Sequence, residues 1–349
     1  MMGREARGRR ALALAAAALA VAVVVAGAVG SVRIPPADVV KILLNRLGAG
    51  FAPDWPRTWE AILWDVRLPR VAMGALVGMG LSVAGAAYQG LFRNPLADPS
   101  VVGASAGASL GAAAAIAFLD GVPLLPGRWA LGPVPLCAFC GGIAAVLLVF
   151  RLASAGRQTS TVSLLLAGMV VSSVASSLVS LIMYLTSSQA RDAIVFWLMG
   201  GLSGANWWKV GWLLPYLAAG LGLLLLQGRE LNAFLLGEEA ALSMGVDVER
   251  LKRRVLGAGS LLTAAAVAFC GIISFVGLIV PHLVRLIVGP DHRWLMPVSA
   301  VTGAVVLVAA DTLARSLPWF SELPVGLVMS LTGGPFFLFL LRRELLPRG

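Results

Sequence analysis

Between residues 228 and 254 the chain reads GRELNAFLLGEEAALSMGVDVERLKRR, its densest internal run of charge, inside a sequence otherwise built to avoid water. An ionised side chain at the centre of a bilayer costs about 3 kcal/mol or more. This segment must therefore lie in water, between apolar spans on either side. Gly237 and Gly245 divide it into two short helical halves. The pattern predicts a structured handle on one membrane face, a surface that a partner grips and pushes.

The rest of the chain fixes its class. Hydrophobic residues make up 59% of it and charged residues only 13%, with a mean hydropathy of +0.89, far from a soluble domain. Apolar runs recur at about the ~20 residues needed to cross a ~30 Å hydrocarbon core. They fall near 11–32, 66–92, 100–119, 131–152, 160–186, 207–227, 255–275, 276–288, 294–314 and 325–342. The expectation is an all-α, polytopic membrane protein of about ten transmembrane helices, a single domain over 1–349.

Orientation follows from charge. Residues 1–10 carry Arg4, Arg7, Arg9 and Arg10 ahead of a long Ala/Val run, longer than an ordinary signal-peptide core. We read it as a retained first span whose start is held in the cytoplasm by the positive-inside rule. Ten spans bring the C-terminal Arg342, Arg343 and Arg348 back to that side, place 33–65 outside, and put 228–254 in the cytoplasm. The net charge of +10 is mostly this topological signature; a nucleic-acid binder needs a basic soluble face.

Small residues mark where helices meet. Gly74, Gly78, Ser82, Ala86 and Gly90 recur every four positions, as do Gly103, Gly107 and Gly111; that spacing lets membrane helices approach backbone to backbone. Between the two runs lies RNPLADPS, 93–100. Pro95 ends one helix, and Asp98 and Pro99 suit the N-cap and first position of the next. The result is a tight turn near the cytoplasmic face, either purely structural or part of a gate.

Other polar residues leave alternatives open. Asp311 and Arg315 stand four apart and suit a helical pair, while Pro281, His282 and Arg285 share one short span. Gly333, Gly334 and Pro335 interrupt the last span, for packing or a bend. Cys137 and Cys140 form a CxxC with no second pair and no histidine nearby, which reads as packing rather than as a metal or redox centre. Outside, 36–47 has Val39, Val40, Leu43, Leu44 and Leu47 on one helical face, as an interfacial helix would. Arg67 and Arg70 then run against the charge bias, by snorkelling or as a patch for an acidic partner.

No GxxxxGK[ST] run exists, so a phosphate-binding loop would have to come from another chain. Two rivals belong to other classes. An intramembrane serine protease would use Ser203 in GLSG with His282 as base. A secondary transporter would run on an ion gradient, but buried acidic residues for a proton relay are scarce.

VRLPRVAMGALVGMGLSVAGAAYQGLFRNPLADPSVVGASAG, LLGEEAALSMGVDVERLKR, FVGLIVPHLVRLIVGPDHR and ELPVGLVMSLTGGPFFLFLLRR together resemble the permease subunits of the iron-chelate, haem and cobalamin ABC importers. The resemblance runs from about residue 60 to the C-terminus, in the family's order. It implies a homodimer in a bacterial cytoplasmic membrane with a translocation path along its twofold axis. Two separate ATPase subunits would bind the ATP, so this chain needs no cofactor of its own. They would dock on Gly237, Glu238, Glu239, Ala240 and Gly245. An external substrate-binding protein would meet Arg67, Arg70 and Arg315. The cytoplasmic gate would lie near Asn94 and Leu96, with Ser160 and Thr161. The cargo would be a ferric siderophore, haem or cobalamin, and no residue here would act on it chemically.

Overall fold

A computed structural model describes residues 2–52, 54–119, 132–154, 160–316 and 323–345. Arg348 and the stretch 155–159 lie outside the described residues. All regular structure among the described residues is helical. Seven helices are long and apolar enough to span a membrane, and three shorter apolar ones, Ala104–Phe118, Val276–Val288 and Val325–Phe339, complete the expected ten.

The first helix, α1 (Met2–Ala28), leads through 29–35 to α2 (Pro36–Arg46). A continuous helical rod follows, made of α3 (Arg57–Ala61), a π-helical turn over Ile62–Arg67, and α4 (Leu68–Leu91). A turn and a 3-10 segment (Pro99–Val102) precede α5 (Ala104–Phe118), α6 (Pro133–Ala153) and α7 (Thr161–Leu185). The short α8 (Ser188–Leu198) comes before α9 (Trp207–Leu226). The charged segment holds α10 (Gly228–Phe234) and α11 (Glu238–Ser243). Then come α12 (Val248–Cys270), α13 (Val276–Val288), α14 (His292–Ser316) and α15 (Val325–Leu345).

The most enclosed helix is α4, packed by α9, α12, α13 and α14. Its small-residue face does what the spacing predicts. A Cβ on Gly78 would strike the Gly303 backbone of α14, and one on Gly85 would strike the Gly277 carbonyl of α13. Likewise Gly107 and Gly111 of α5 lie on the backbone of α6 at Gly141 and Cys137, so the first CxxC cysteine sits in a helix–helix seam. Without a hydrophobic drive in lipid, this close approach is what holds such helices together.

Non-helical backbone at membrane depth survives only where protein surrounds it. Residues 271–275, between α12 and α13, meet that condition. Gly201 N–H donates to the Cys270 carbonyl at 2.7 Å, and Gly326 N–H donates to the Gly200 carbonyl at 3.0 Å. Phe275 takes a left-handed conformation at φ 68°, and its ring lies where a Cβ on Gly333 would stand, 2.5 Å away. Gly333 thus serves close packing, and α15 continues through Pro335.

Two local expectations shift. Helix α2 buries Val39 and Ile42 against Ile34, Trp55 and Leu63, while Val40, Leu44 and Leu47 face outward. The end of α1 and the following loop, rather than a membrane surface alone, select its buried side. Asp98 is an N-cap, accepting from Ser100 N–H at 2.9 Å, but of the 3-10 segment. The span itself starts at Ala104, after Gly103 in left-handed conformation at φ 87°.

Gly85→Ala is expected to cost about 1–3 kcal/mol or more by overpacking, whereas Gly222→Ala, with open space around it, should be neutral. Thermal unfolding of the two variants in detergent, followed by size-exclusion profile, checks the contrast.

Candidate functional site

The functional candidates gather at the two ends of the bundle. At one end, the rod from α3 to α4 delivers Arg67 and Arg70. The π-helical turn that ends at Arg67 is a feature that often marks functional positions and has no signature in the sequence. Arg70 Nε donates to both carboxylate oxygens of Asp311 at 3.0 Å, and its Nη2 lies 2.9 Å from Oδ1. Arg315 approaches the same carboxylate, Nε to Oδ2 at 3.1 Å, the helical pair its spacing suggests. Its Nη2 and Nη1 donate to the carbonyls of Ala26 at 3.2 Å and Val29 at 3.4 Å. Arg67 completes the group by donating to the Gly27 carbonyl at 2.5 Å and to that of Val32.

The structure thus brings all three arginines together, around one aspartate and the C-terminal end of α1. Their burial is deeper than snorkelling requires: Arg67 is 4% exposed and Arg70 8%. Helix ends leave carbonyls unsatisfied and carry partial negative charge, and Arg67 and Arg315 answer both. Three guanidinium groups against one carboxylate still leave two positive charges in excess. Arg67, Arg70 and Arg315 line an open pocket with Gly30, Ser31, Ile62 and Val66.

At the opposite end, α10 and α11 form the handle. Gly237 (φ 122°) and Gly245 (φ 83°) supply its left-handed breaks, where a side chain would be strained. Glu238 and Glu239 differ. Glu238 is held by the buried Lys252 of α12, Nζ to Oε1 at 2.7 Å, and Glu249 adds a second contact at 3.3 Å. Glu239 is exposed, and Ala240 is half-buried beside it. Around it Leu235, Leu236, Leu242 and Met244 are exposed as well. Exposed apolar patches of this kind are common at protein contacts.

The start of the handle is tied back into the bundle. Asn232 of α10 donates to Asp291 Oδ1 at 2.6 Å and accepts from His292 N–H at 2.8 Å. Hydrogen bonds from Arg293, and then from Asn232, hold the Asp291 carboxyl down to about 2. Arg93, in the turn after α4, lays its guanidinium 5.7 Å from the centre of the Phe234 ring of α10.

The turn itself is internally braced. Asn94 Oδ1 accepts from Leu96 N–H at 2.9 Å; Asn94 is exposed and Leu96 half-buried. Ser160 caps the start of α7 by position, with no side-chain hydrogen bond, and Thr161 begins the helix. Where α7 meets the 3-10 segment, the contact is Gly168 against Val101, two turns beyond Thr161. Ser203 is exposed in the turn before α9, while His282 is buried within α13.

Removing one member of a buried ion pair strands the other, at a cost of about 3–5 kcal/mol. Arg70→Ala is therefore expected to lower folded yield and melting temperature sharply. Arg70→Ala with Asp311→Ala should recover part of the loss, read by thermal unfolding of both proteins.

Residues 18–343 match the model of the FecCD transport family. The chain is 48% identical over 287 residues to the cobalamin import system permease protein BtuC of Halobacterium salinarum, covering 82% of this chain and 75% of that one. It is 40% identical over 310 residues to the hemin transport system permease protein HmuU of Yersinia pestis, covering 86% and 90%. A solved inward-facing structure described as a metal-chelate type ABC transporter superposes with a TM-score of 0.83 at 30% identity, over 96% of this chain and 99% of that one. A multi-pass membrane protein with the fold of a type II ABC importer permease, this chain belongs to the FecCD transport family.

Proposed function

We propose that the chain is the permease subunit of a binding-protein-dependent ABC importer in a bacterial cytoplasmic membrane. It works as a homodimer, with both termini in the cytoplasm, powered by two separate ATPase chains. The observation that carries this reading is the handle: Leu235, Leu236, Leu242 and Met244 exposed beside Glu239, on a segment too charged for lipid. Glu238, clamped to Lys252, fixes the angle of α11 rather than meeting the partner. Nucleotide acts by population shift, favouring whichever facing state the ATPase pair binds better in its closed form.

The cargo is a metal chelate, as relatives named for cobalamin and hemin and a solved metal-chelate type transporter support; a ferric siderophore belongs to the same chemical class. The outward side of α7 supports a path that slides rather than binds. Ser173, Ser176, Ser177 and Ser180 form an exposed hydroxyl row with no charge among them. Ser177 and Ser180 donate to the carbonyls of Ser173 and Ser176 at 3.0 and 3.1 Å. Hydroxyls already donating to their own helix offer a cargo only weak acceptor contacts. The external binding protein supplies recognition, and its acidic groups are drawn to the excess charge around Arg67, Arg70 and Arg315. An ion-gradient carrier has no use for an exposed apolar handle, and an intramembrane protease none for a hydroxyl-lined span.

Native mass spectrometry of the complex from its own membrane is expected to give two copies of this chain with two P-loop ATPase chains. Glu239→Arg should lose the ATPases while its size-exclusion profile stays unchanged. A stable particle without ATPases, or full retention of them by Glu239→Arg, contradicts the reading.

A further inference from the structure

The handle and the gate turn are separate in sequence, and the structure joins them at one place. Asn232, on the first half of the handle, stands 59 residues before Asp291. Its amide has one orientation that satisfies both neighbours. Nδ2 donates to the Asp291 carboxylate, so Oδ1 faces His292 and accepts its backbone N–H at 2.8 Å. The His292 ring nitrogen Nδ1 lies 3.0 Å from the same oxygen. An oxygen only accepts, so a hydrogen bond between the two needs the proton on Nδ1.

The other edge of the ring faces α4. His292 is 1% exposed, and its Nε2 lies 2.5 Å from where a Cβ on Gly90 would stand. Gly90 is in the last turn of α4, immediately before the 93–98 turn. No side chain fits between them, so the ring abuts the backbone of the gate-bearing helix. Arg93 over Phe234 makes a second bridge from the same turn to the same short helix, a cation–π contact. Asp291, anchored by Arg293 at 2.7 Å, keeps the amide from rotating.

We propose that Asn232, Asp291 and His292 form a clasp that locks α10, the start of α14 and the end of α4 into one moving body, transmitting displacement of the handle to the gate turn at Asn94 and Leu96. These are positioning residues, acting through the helices they join. The inference rests on the importer reading, and it adds the route by which the handle moves the gate. Coupling of this kind needs a contiguous element that both sites bias, and the clasp is that element.

The test uses the complex of the full chain with its ATPases in lipid nanodiscs, carrying Cys137→Ser, Cys140→Ser and Leu96→Cys. The probe is a membrane-impermeant maleimide reacting at position 96, with and without ATP and vanadate, at pH 8. ATP is expected to change the labelling rate about tenfold. Asn232→Asp sets a second carboxylate against Asp291; it should abolish that change while ATPases still copurify and hydrolyse ATP. Asn232→Leu, similar in size but unable to hydrogen-bond, should do the same. Adding Asp291→Asn to Asn232→Asp reverses the polarity of the bond and should restore the ATP-dependent change.

Normal ATP-dependent labelling in both single variants overturns the clasp. So does loss of the ATPases from the Asn232 variants, which makes the residue a docking or folding element. Failure of the polarity swap to restore the response overturns it too. A complex without ATPases before any clasp substitution defeats the importer reading itself, and the clasp falls with it.

Discussion

One helix sets the terms for this bundle. Helices α13 and α14 reach α4 at distances where no side chain fits, so its sequence has little freedom at Gly78, Gly85 or Gly90. In lipid the gain on association comes from packing and from hydrogen bonds satisfied inside the protein, because the tails outside are as apolar as leucine. A helix pressed this closely on several sides is a rigid axis, and everything hinged to its ends moves with it. The arginine cluster sits at one end, the 93–98 turn at the other.

The two ends are built differently for a physical reason. The outer end is held by charges that are largely buried, where a guanidinium–carboxylate pair is strong if satisfied and costly if broken. The inner end is held by amide, backbone and cation–π contacts, with Asp291 and Arg293 partly in water. Contacts of the second kind are individually modest. A closed outer knot and a softer inner seam place the adjustable part of the molecule beside the handle.

Much of this was legible from local pattern. Spans, the charged handle, the glycine breaks at 237 and 245 and the small-residue faces are periodic or compositional, and the structure reproduces them. What escaped depends on contacts remote in sequence. Periodicity gave α2 an apolar face but could not choose Val39 and Ile42 over Val40 and Leu44, because α1 and the following loop make that choice. The π-helical turn that ends at Arg67 has no residue signature. Arg67 and Arg70 read as charge facing out, yet their partners are carbonyls of α1 and an aspartate 241 positions away from Arg70. Asn232 looked like one polar residue among many in a charged segment; only folding shows it answering Asp291.

The arginines at the end of α1 also bear on how such a chain is made. Arg67 arrives soon after the helix it caps, but Arg315 reaches Ala26 from 289 residues downstream. At a synthesis rate of about 5–20 residues per second, roughly 15–60 s separate the two. During that interval the first helix is in place with its end only partly capped, and the ninth span must then dock beside it. The fold therefore closes like a ring, its earliest helix finished by one of its last.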